Sequence, residues 1–220
     1  MSRDSQRVVG IDEAGRGSVL GPLVVAGVAL SESDLEELVR MGLDDSKKLT
    51  PRTREILAGE IRSRTSAIEV RLLQPAAIDG CRGEGGLDVL EAGAMAAIAR
   101  ELAIRRVIVD APGPGGRLFR ERLSQRLGRD YSLTAENKAD ERYPVVSAAS
   151  VLAKTVRDAE IRDLSRVHGE IGSGYPSDPA TLAFLESRAR AGQGPPDFAR
   201  RSWATVRRIF GSHQVGIFSG

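Results

Sequence analysis

The stretch RVVGIDEAGRG, residues 7–17, decides the fold. Its first five residues, Arg7 to Ile11, form a short apolar run that reads as a buried strand. DEAGRG, which follows, is too rich in charge and glycine for a core element, so the chain leaves the core at Asp12-Glu13. Val19 to Leu30 reads as a second, longer strand with Gly21-Pro22 near its start. Thr50-Pro51 pairs an N-cap with proline at the first helical position and opens a helix to about Arg64. Ala67 to Leu73 alternates like a half-exposed strand. Leu87, Leu90, Ala94, Ile98 and Leu102 recur at helical spacing and give one apolar face. Val107 to Val109 is another short buried strand, closed by Asp110 and the turn-forming APGPGG. Leu118 to Leu127 patterns as an amphipathic helix, Tyr131 to Ala135 as a strand, and a long helix starts near Pro144 and passes Asp158. Gly172 to Pro179 then leads to a basic helical C-terminal region. Strands alternating with helices predict a central α/β sheet flanked by helices.

Composition excludes several classes. The chain has 220 residues, 41% apolar, with 32 basic against 30 acidic groups and a net charge of +2. It is long enough for a sizeable core, and its apolar fraction rules out wholesale disorder. The single cysteine, Cys81, makes no intramolecular disulfide and no four-ligand zinc pattern exists, which fits a reducing cytoplasm. Met1 to Gly10 lacks an apolar signal-peptide core, and no apolar run is long enough to span a bilayer, so no membrane role is expected. The basic residues are 28 arginines and only four lysines, Lys47, Lys48, Lys138 and Lys154. Glu186 to Phe210 holds six arginines against two acids, and Arg117 to Asp130 five against two. Both patches suit phosphate contacts.

The chemistry gathers at strand ends, where α/β folds place reactive groups. Asp12-Glu13 follows the first strand and Asp110 closes a later one. A further acidic group lies among Glu136, Asp140 and Glu141. Clustered carboxylates repel one another unless a cation sits between them, and hard oxygen ligands select Mg²⁺ or Mn²⁺. Adjacent strand residues point to opposite faces, so Asp12 and Glu13 share a site only if the chain turns at once, as Ala14-Gly15 permits. Gly15-Arg16-Gly17 brings backbone close to a nucleic-acid strand and offers N–H donors to phosphate or a sugar hydroxyl. Asp45-Ser46-Lys47-Lys48 places two of the lysines just before a helix. On the helix from Pro144, Ser147, Ser150, Lys154, Arg157 and Asp158 share one face, a polar stripe without a core role.

Five motifs, GIDEAGRG (10–17), DDSKKLT (44–50), VIVDAPG (107–113), ENKADERYPVVSAASVLAKTVRD (136–158) and GSGYPSDP (172–179), resemble the ribonuclease HII family in order and spacing. The YPSDP form is most similar to archaeal members. Ribonuclease HIII normally carries an extra N-terminal domain and a lysine in the Gly-x-Gly element, and this chain has neither.

The resemblance implies a ribonuclease H-like mixed sheet flanked by helices, with residues 1–165 as catalytic domain and 166–220 as a small C-terminal helical region aiding duplex binding. It implies an endonuclease that hydrolyses RNA in RNA–DNA hybrids and incises 5′ of single ribonucleotides in duplex DNA, leaving 5′-phosphate and 3′-hydroxyl ends. Asp12, Glu13, Asp110 and Asp140 become its acidic ligands for two Mg²⁺ or Mn²⁺ ions; Asp140 is singled out by the resemblance alone. Gly15, Arg16, Gly17 and Tyr175 are expected to read the ribose 2′-hydroxyl, the local handle that separates RNA from DNA. Lys47, Lys48 and Lys154, with Ser147 and Ser150, are expected near the substrate. Gln214, Ile217 and Phe218 resemble a sliding-clamp-binding tail, and the family implies a cytoplasmic monomer. A junction resolvase or transposase core, a non-catalytic nucleic-acid-binding module and a small-molecule phosphatase are the rival readings.

Overall fold

The computed structural model describes residues 7–43, 49–65, 67–81, 83, 85–113 and 116–214. Five strands form one sheet in the order β3-β2-β1-β4-β5, where β1 is Arg7–Ala14, β2 Leu23–Ser31, β3 Ile68–Leu73, β4 Arg106–Asp110 and β5 Ser132–Glu136. Strand β1 runs antiparallel to β2 and parallel to β4, and β4 is parallel to β5. The sheet is therefore mixed and flanked by helices, as the sequence predicts. Among the described residues the helices are α1 (Glu32–Arg40), α2 (Pro51–Arg64), α3 (Pro75–Gly80), α4 (Gly86–Leu102), α5 (Gly116–Leu127), α6 (Pro144–His168), α7 (Pro179–Arg190) and α8 (Ala204–Gln214). None of them is long and apolar enough to cross a membrane.

The chain divides into two compact units. The first takes in residues up to Ala14, Val24–Arg71 and Gly83–Val156; the second takes in Gly15–Leu23, Leu72–Arg82 and Arg157 onward. In the first, the face of β1 and β2 bearing Val8, Val24, Ala26, Val28 and Leu30 packs against Leu38 of α1, Leu57 and Ile61 of α2, and the apolar side of α6. Two glycines set how closely helices approach this sheet. A Cβ on Gly10 would lie 2.7 Å from the backbone nitrogen of Val146 and closer still to the carbonyl of Val145. The first turn of α6 thus rests directly on β1. A Cβ on Gly27 would run into Ile98 of α4. Gly27 stands opposite Ile11, and successive strand residues face opposite ways, so α4 and α6 cover opposite faces.

The second unit has its own core of Val19, Leu20, Ile161, Ile171, Leu185, Val206 and Ile209, with Phe184, Phe198 and Trp203 packed against it. Its segment Val19 to Gly21 departs from the sequence expectation of one strand from Val19 to Leu30. Gly21 adopts φ +77° and β2 starts only at Leu23, past Pro22. Leu20 instead makes an isolated bridge with Ala199. Strand β1 is longer than expected and continues through Asp12, Glu13 and Ala14. Helix α1 escaped the sequence reading. Its start is a capping box, with the Ser31 hydroxyl accepting the Asp34 N–H.

Replacing Gly10 with alanine should push α6 off the sheet. We expect a destabilisation of about 3 kcal/mol or more in urea unfolding, because the obstacle is backbone and cannot rotate away. A loss below about 1 kcal/mol would show that α6 slides freely over β1.

Candidate active site

The carboxylates come together through the sheet register. Val9 pairs with Val107 and Ile11 with Val109 in parallel, so Asp12 and Asp110 are the next residues at one sheet edge. Asp110 in turn pairs with Glu136, the last residue of β5. Three residues later a 3-10 turn, Ala139–Glu141, carries Asp140 back to the same edge. One oxygen each from Asp12, Asp110 and Asp140 lies within 4.8 Å of the other two. Backbone donors hold two of these groups. Asp12 accepts the Glu13 N–H at 2.7 Å, and Asp110 accepts the Ala139 N–H at 2.9 Å. The second bond ties the Asp110 side chain to the turn that presents Asp140. Asn137 strengthens that tie, donating to the carbonyl of Ala111.

Asp12 shares the face of Gly10, two residues before it, and so meets α6. The Ser150 hydroxyl on that helix donates to its carboxylate. Burial, helped by the negative charge of Asp110 and then Asp140, raises Asp12 from 3.8 to about 7, against the opposing hydrogen bonds from Ser150 and the Glu13 N–H. An all-carboxylate set in which each charge penalises the next fits a hard divalent cation, which removes the repulsion. Glu13, the next residue on β1, is half-buried and is not one of the three groups that meet here.

The second unit holds the glycine loop. Gly15 takes φ +87°, and the Ser18 N–H closes a turn onto the Gly15 carbonyl. A Cβ on Gly17 would sit 3.9 Å from the Tyr175 ring, so the loop and the tyrosine are neighbours within this unit. They are laced together: Val19 N–H and the Ser18 hydroxyl both donate to the Gly174 carbonyl, each at 2.8 Å. Asp178 caps α7 and accepts the Ser173 N–H at 2.5 Å, and these bonds lower its pKa. Buried Arg157 places its guanidinium carbon 4.5 Å from the centre of the Tyr175 ring and donates to the Ser173 carbonyl.

The chain is similar to known proteins over most of its length. A family model described as Ribonuclease HII matches residues 9–206. The chain belongs to the ribonuclease HII family. Ribonuclease HII from Thermofilum pendens is 44% identical over 210 residues, covering 92% of this chain and 99% of that one. The crystal structure of ribonuclease H2 from Pyrococcus horikoshii superposes with a TM-score of 0.85 at 37% identity, covering 94% of this chain and 99% of that one. A structure of the PCNA:RNase HII complex from Archaeoglobus fulgidus matches with a TM-score of 0.81 at 39% identity, over 91% of this chain and 95% of that one. The ribonuclease HII family cleaves RNA in RNA–DNA hybrids, so this chain is a metal-dependent endoribonuclease.

Of the residues expected at the ribonuclease HII site, Asp12, Asp110 and Asp140 converge in the first unit, and Gly15, Arg16, Gly17 and Tyr175 lie together in the second. Ser147 and Ser150 are buried, and Ser150 hydrogen-bonds the Asp12 carboxylate. Lys154 is half-buried further along α6. Lys47, Lys48, Ile217 and Phe218 lie outside the described residues, and of Gln214 only the backbone, ending α8, is described. Sequence reasoning missed the loop supports Ser18, Asp178 and Arg200. Asp178 could have been found, because Asp-Pro before an apolar run is a helix start.

Metal-free protein should lose stability as pH rises. A carboxyl whose pKa is higher folded than unfolded binds its proton more tightly in the fold, so its favourable contribution is complete below about 4 and is lost as pH climbs through about 7. In EDTA, urea unfolding from pH 4 to 8 should show Asp12→Asn gaining on wild type by roughly 2–4 kcal/mol at the upper end. Parallel curves for the two proteins would refute the burial and charge-repulsion account of Asp12.

Proposed function

We propose that this ribonuclease both degrades the RNA strand of RNA–DNA hybrids and incises duplex DNA immediately 5′ of a single ribonucleotide, leaving 5′-phosphate and 3′-hydroxyl ends. The observation that carries this reading is the convergence of Asp12, Asp110 and Asp140 from β1, β4 and the turn after β5. With Glu13 as a fourth donor from β1, this edge would hold two Mg²⁺ or Mn²⁺ ions. Divalent ions bound there supply charge neutralisation at the scissile phosphate and Lewis-acid assistance to hydrolysis.

The protein's own share is positioning. Ser150 and the Glu13 N–H fix the Asp12 carboxylate, and the Ala139 N–H fixes that of Asp110. Preset ligands spare the site reorganisation when substrate arrives. Gly15, Arg16 and Gly17 with Tyr175 are the reader of the ribose 2′-hydroxyl, supported by the closeness of Gly17 to the tyrosine ring. Lys154, and Lys47 and Lys48 ahead of α2, are assigned to substrate phosphates. The C-terminal region, residues 166–220, aids duplex binding through exposed arginines such as Arg190, Arg207 and Arg208. A sliding clamp is the proposed partner of the Gln214–Phe218 tail, a reading supported by the Archaeoglobus complex with PCNA. The role fits ribonucleotide removal and replication by a cytoplasmic monomer, in keeping with a single cysteine, Cys81, which can form no intramolecular disulfide.

The deciding assay uses duplex DNA with one embedded ribonucleotide, in Mg²⁺ and in EDTA. We expect a single cut 5′ of the ribonucleotide in metal only, and at least a 100-fold loss for Asp110→Asn with the fold retained. Cleavage by Asp110→Asn at the wild-type rate would remove the carboxylate edge from the chemistry. For Tyr175→Phe we expect about a tenfold or greater loss on the single-ribonucleotide duplex and a smaller one on a uniform hybrid. Equal effects on both substrates would leave the tyrosine without a junction-reading role.

A further inference from the structure

The glycine loop is built around a buried cation that the sequence offered only as one more arginine in a basic patch. Arg200 is fully buried. Its guanidinium spends its fork on backbone carbonyls: Nη2 donates to Gly15 at 2.7 Å, Nη1 to Arg16 at 2.9 Å and Nε to Gly21 at 3.2 Å. Its own N–H donates to the Val19 carbonyl at 2.9 Å, and Trp203 stacks near its head, 5.5 Å from guanidinium carbon to ring centre. All of these groups belong to the second unit.

The consequence follows from peptide geometry. In a trans peptide the carbonyl and the N–H of the next residue point in opposite directions. Two successive carbonyls, those of Gly15 and Arg16, are drawn inward to one guanidinium. The N–H groups of Arg16 and Gly17 are therefore both directed away from it. Consecutive N–H groups on one side make a concave donor pair that suits an oxygen ligand. Gly17, at the open end, is exposed and faces the Tyr175 ring.

We propose that Arg200 is a positioning residue for RNA recognition: by holding the Gly15 and Arg16 carbonyls, it presets the Arg16 and Gly17 N–H groups to receive a ribose hydroxyl. The proposal rests on the reading that this loop and Tyr175 recognise the 2′-hydroxyl. It adds that the selectivity is stored in a buried residue that touches no substrate. Lysine cannot substitute, because a single ammonium does not span three carbonyls lying in the plane of a fork.

The test measures preference rather than rate. Binding of a duplex with one ribonucleotide and of the same duplex in all-DNA form is measured in Ca²⁺ for wild type, Arg200→Lys, Arg200→Gln and Tyr175→Phe, with melting curves for each. The ratio of the two affinities cancels the folded fraction, so mere loss of stability leaves it unchanged. We expect both Arg200 variants to lose about tenfold or more of the wild-type preference while retaining affinity for all-DNA duplex. If Tyr175→Phe loses preference and both Arg200 variants keep it, the positioning role is overturned and the loop reading stands. If wild type shows no preference, or Tyr175→Phe leaves it whole, the loop reading itself fails and takes the positioning role with it.

Discussion

The contact on which the catalytic edge depends is that of bare backbone at Gly10 with the first turn of α6. Because no side chain intervenes, the helix lies against β1, and Asp12, two residues further along the same face, meets Ser150. Any Cβ at position 10 would lift the helix by more than a hydrogen bond can stretch. The serine would then no longer reach the carboxylate. A glycine in the middle of a strand is unfavourable by propensity, so its presence there marks close packing that this site uses.

Asp12 shows what that packing costs. Burial beside Asp110 and Asp140 raises its pKa to about 7, while the bonds from Ser150 and the Glu13 N–H resist the rise. The opposing effects do not balance; burial and repulsion win. A carboxylate so placed is poorly solvated and repelled by its neighbours, and a divalent cation relieves both penalties at once. The same repulsion that is expected to weaken the metal-free fold as pH rises would favour a divalent cation at this edge.

Much of this was legible in the sequence, and what was not has a physical reason. Apolar runs ending in carboxylates gave Asp12 and Asp110, since strand and turn are local properties. Asp140 was not separable from Glu136 and Glu141 by residue type, because its role depends on a 3-10 turn entered through Lys138 at φ +59°, a conformation no short-range pattern announces. The polar stripe Ser147–Ser150–Lys154 reads as lacking a core role, yet both of its serines are buried. A stripe can also face a buried polar partner, and Ser150 does. Val19 to Gly21 reads as part of β2 because it is apolar; Pro22 and the positive φ at Gly21 separate it, and its burial belongs to the core of the second unit.

Charge counting misled in a more general way. Six arginines between Glu186 and Phe210 suggested a surface for phosphate, yet Arg200 is fully buried and its donors are spent on Gly15, Arg16 and Gly21. Arg157, on the polar stripe of α6, is buried too and serves Ser173 and the Tyr175 ring. A guanidinium is weakly hydrated and planar, so it can be taken out of water where carbonyl oxygens and an aromatic face receive it. An ammonium resists that transfer. In a chain that writes arginine almost everywhere, the residue type alone does not distinguish a cation that meets phosphate from one that frames a loop. The distinction lies in what surrounds it: exposed guanidinium groups add to affinity for any duplex, whereas these two shape the part of the protein assigned to telling ribose from deoxyribose.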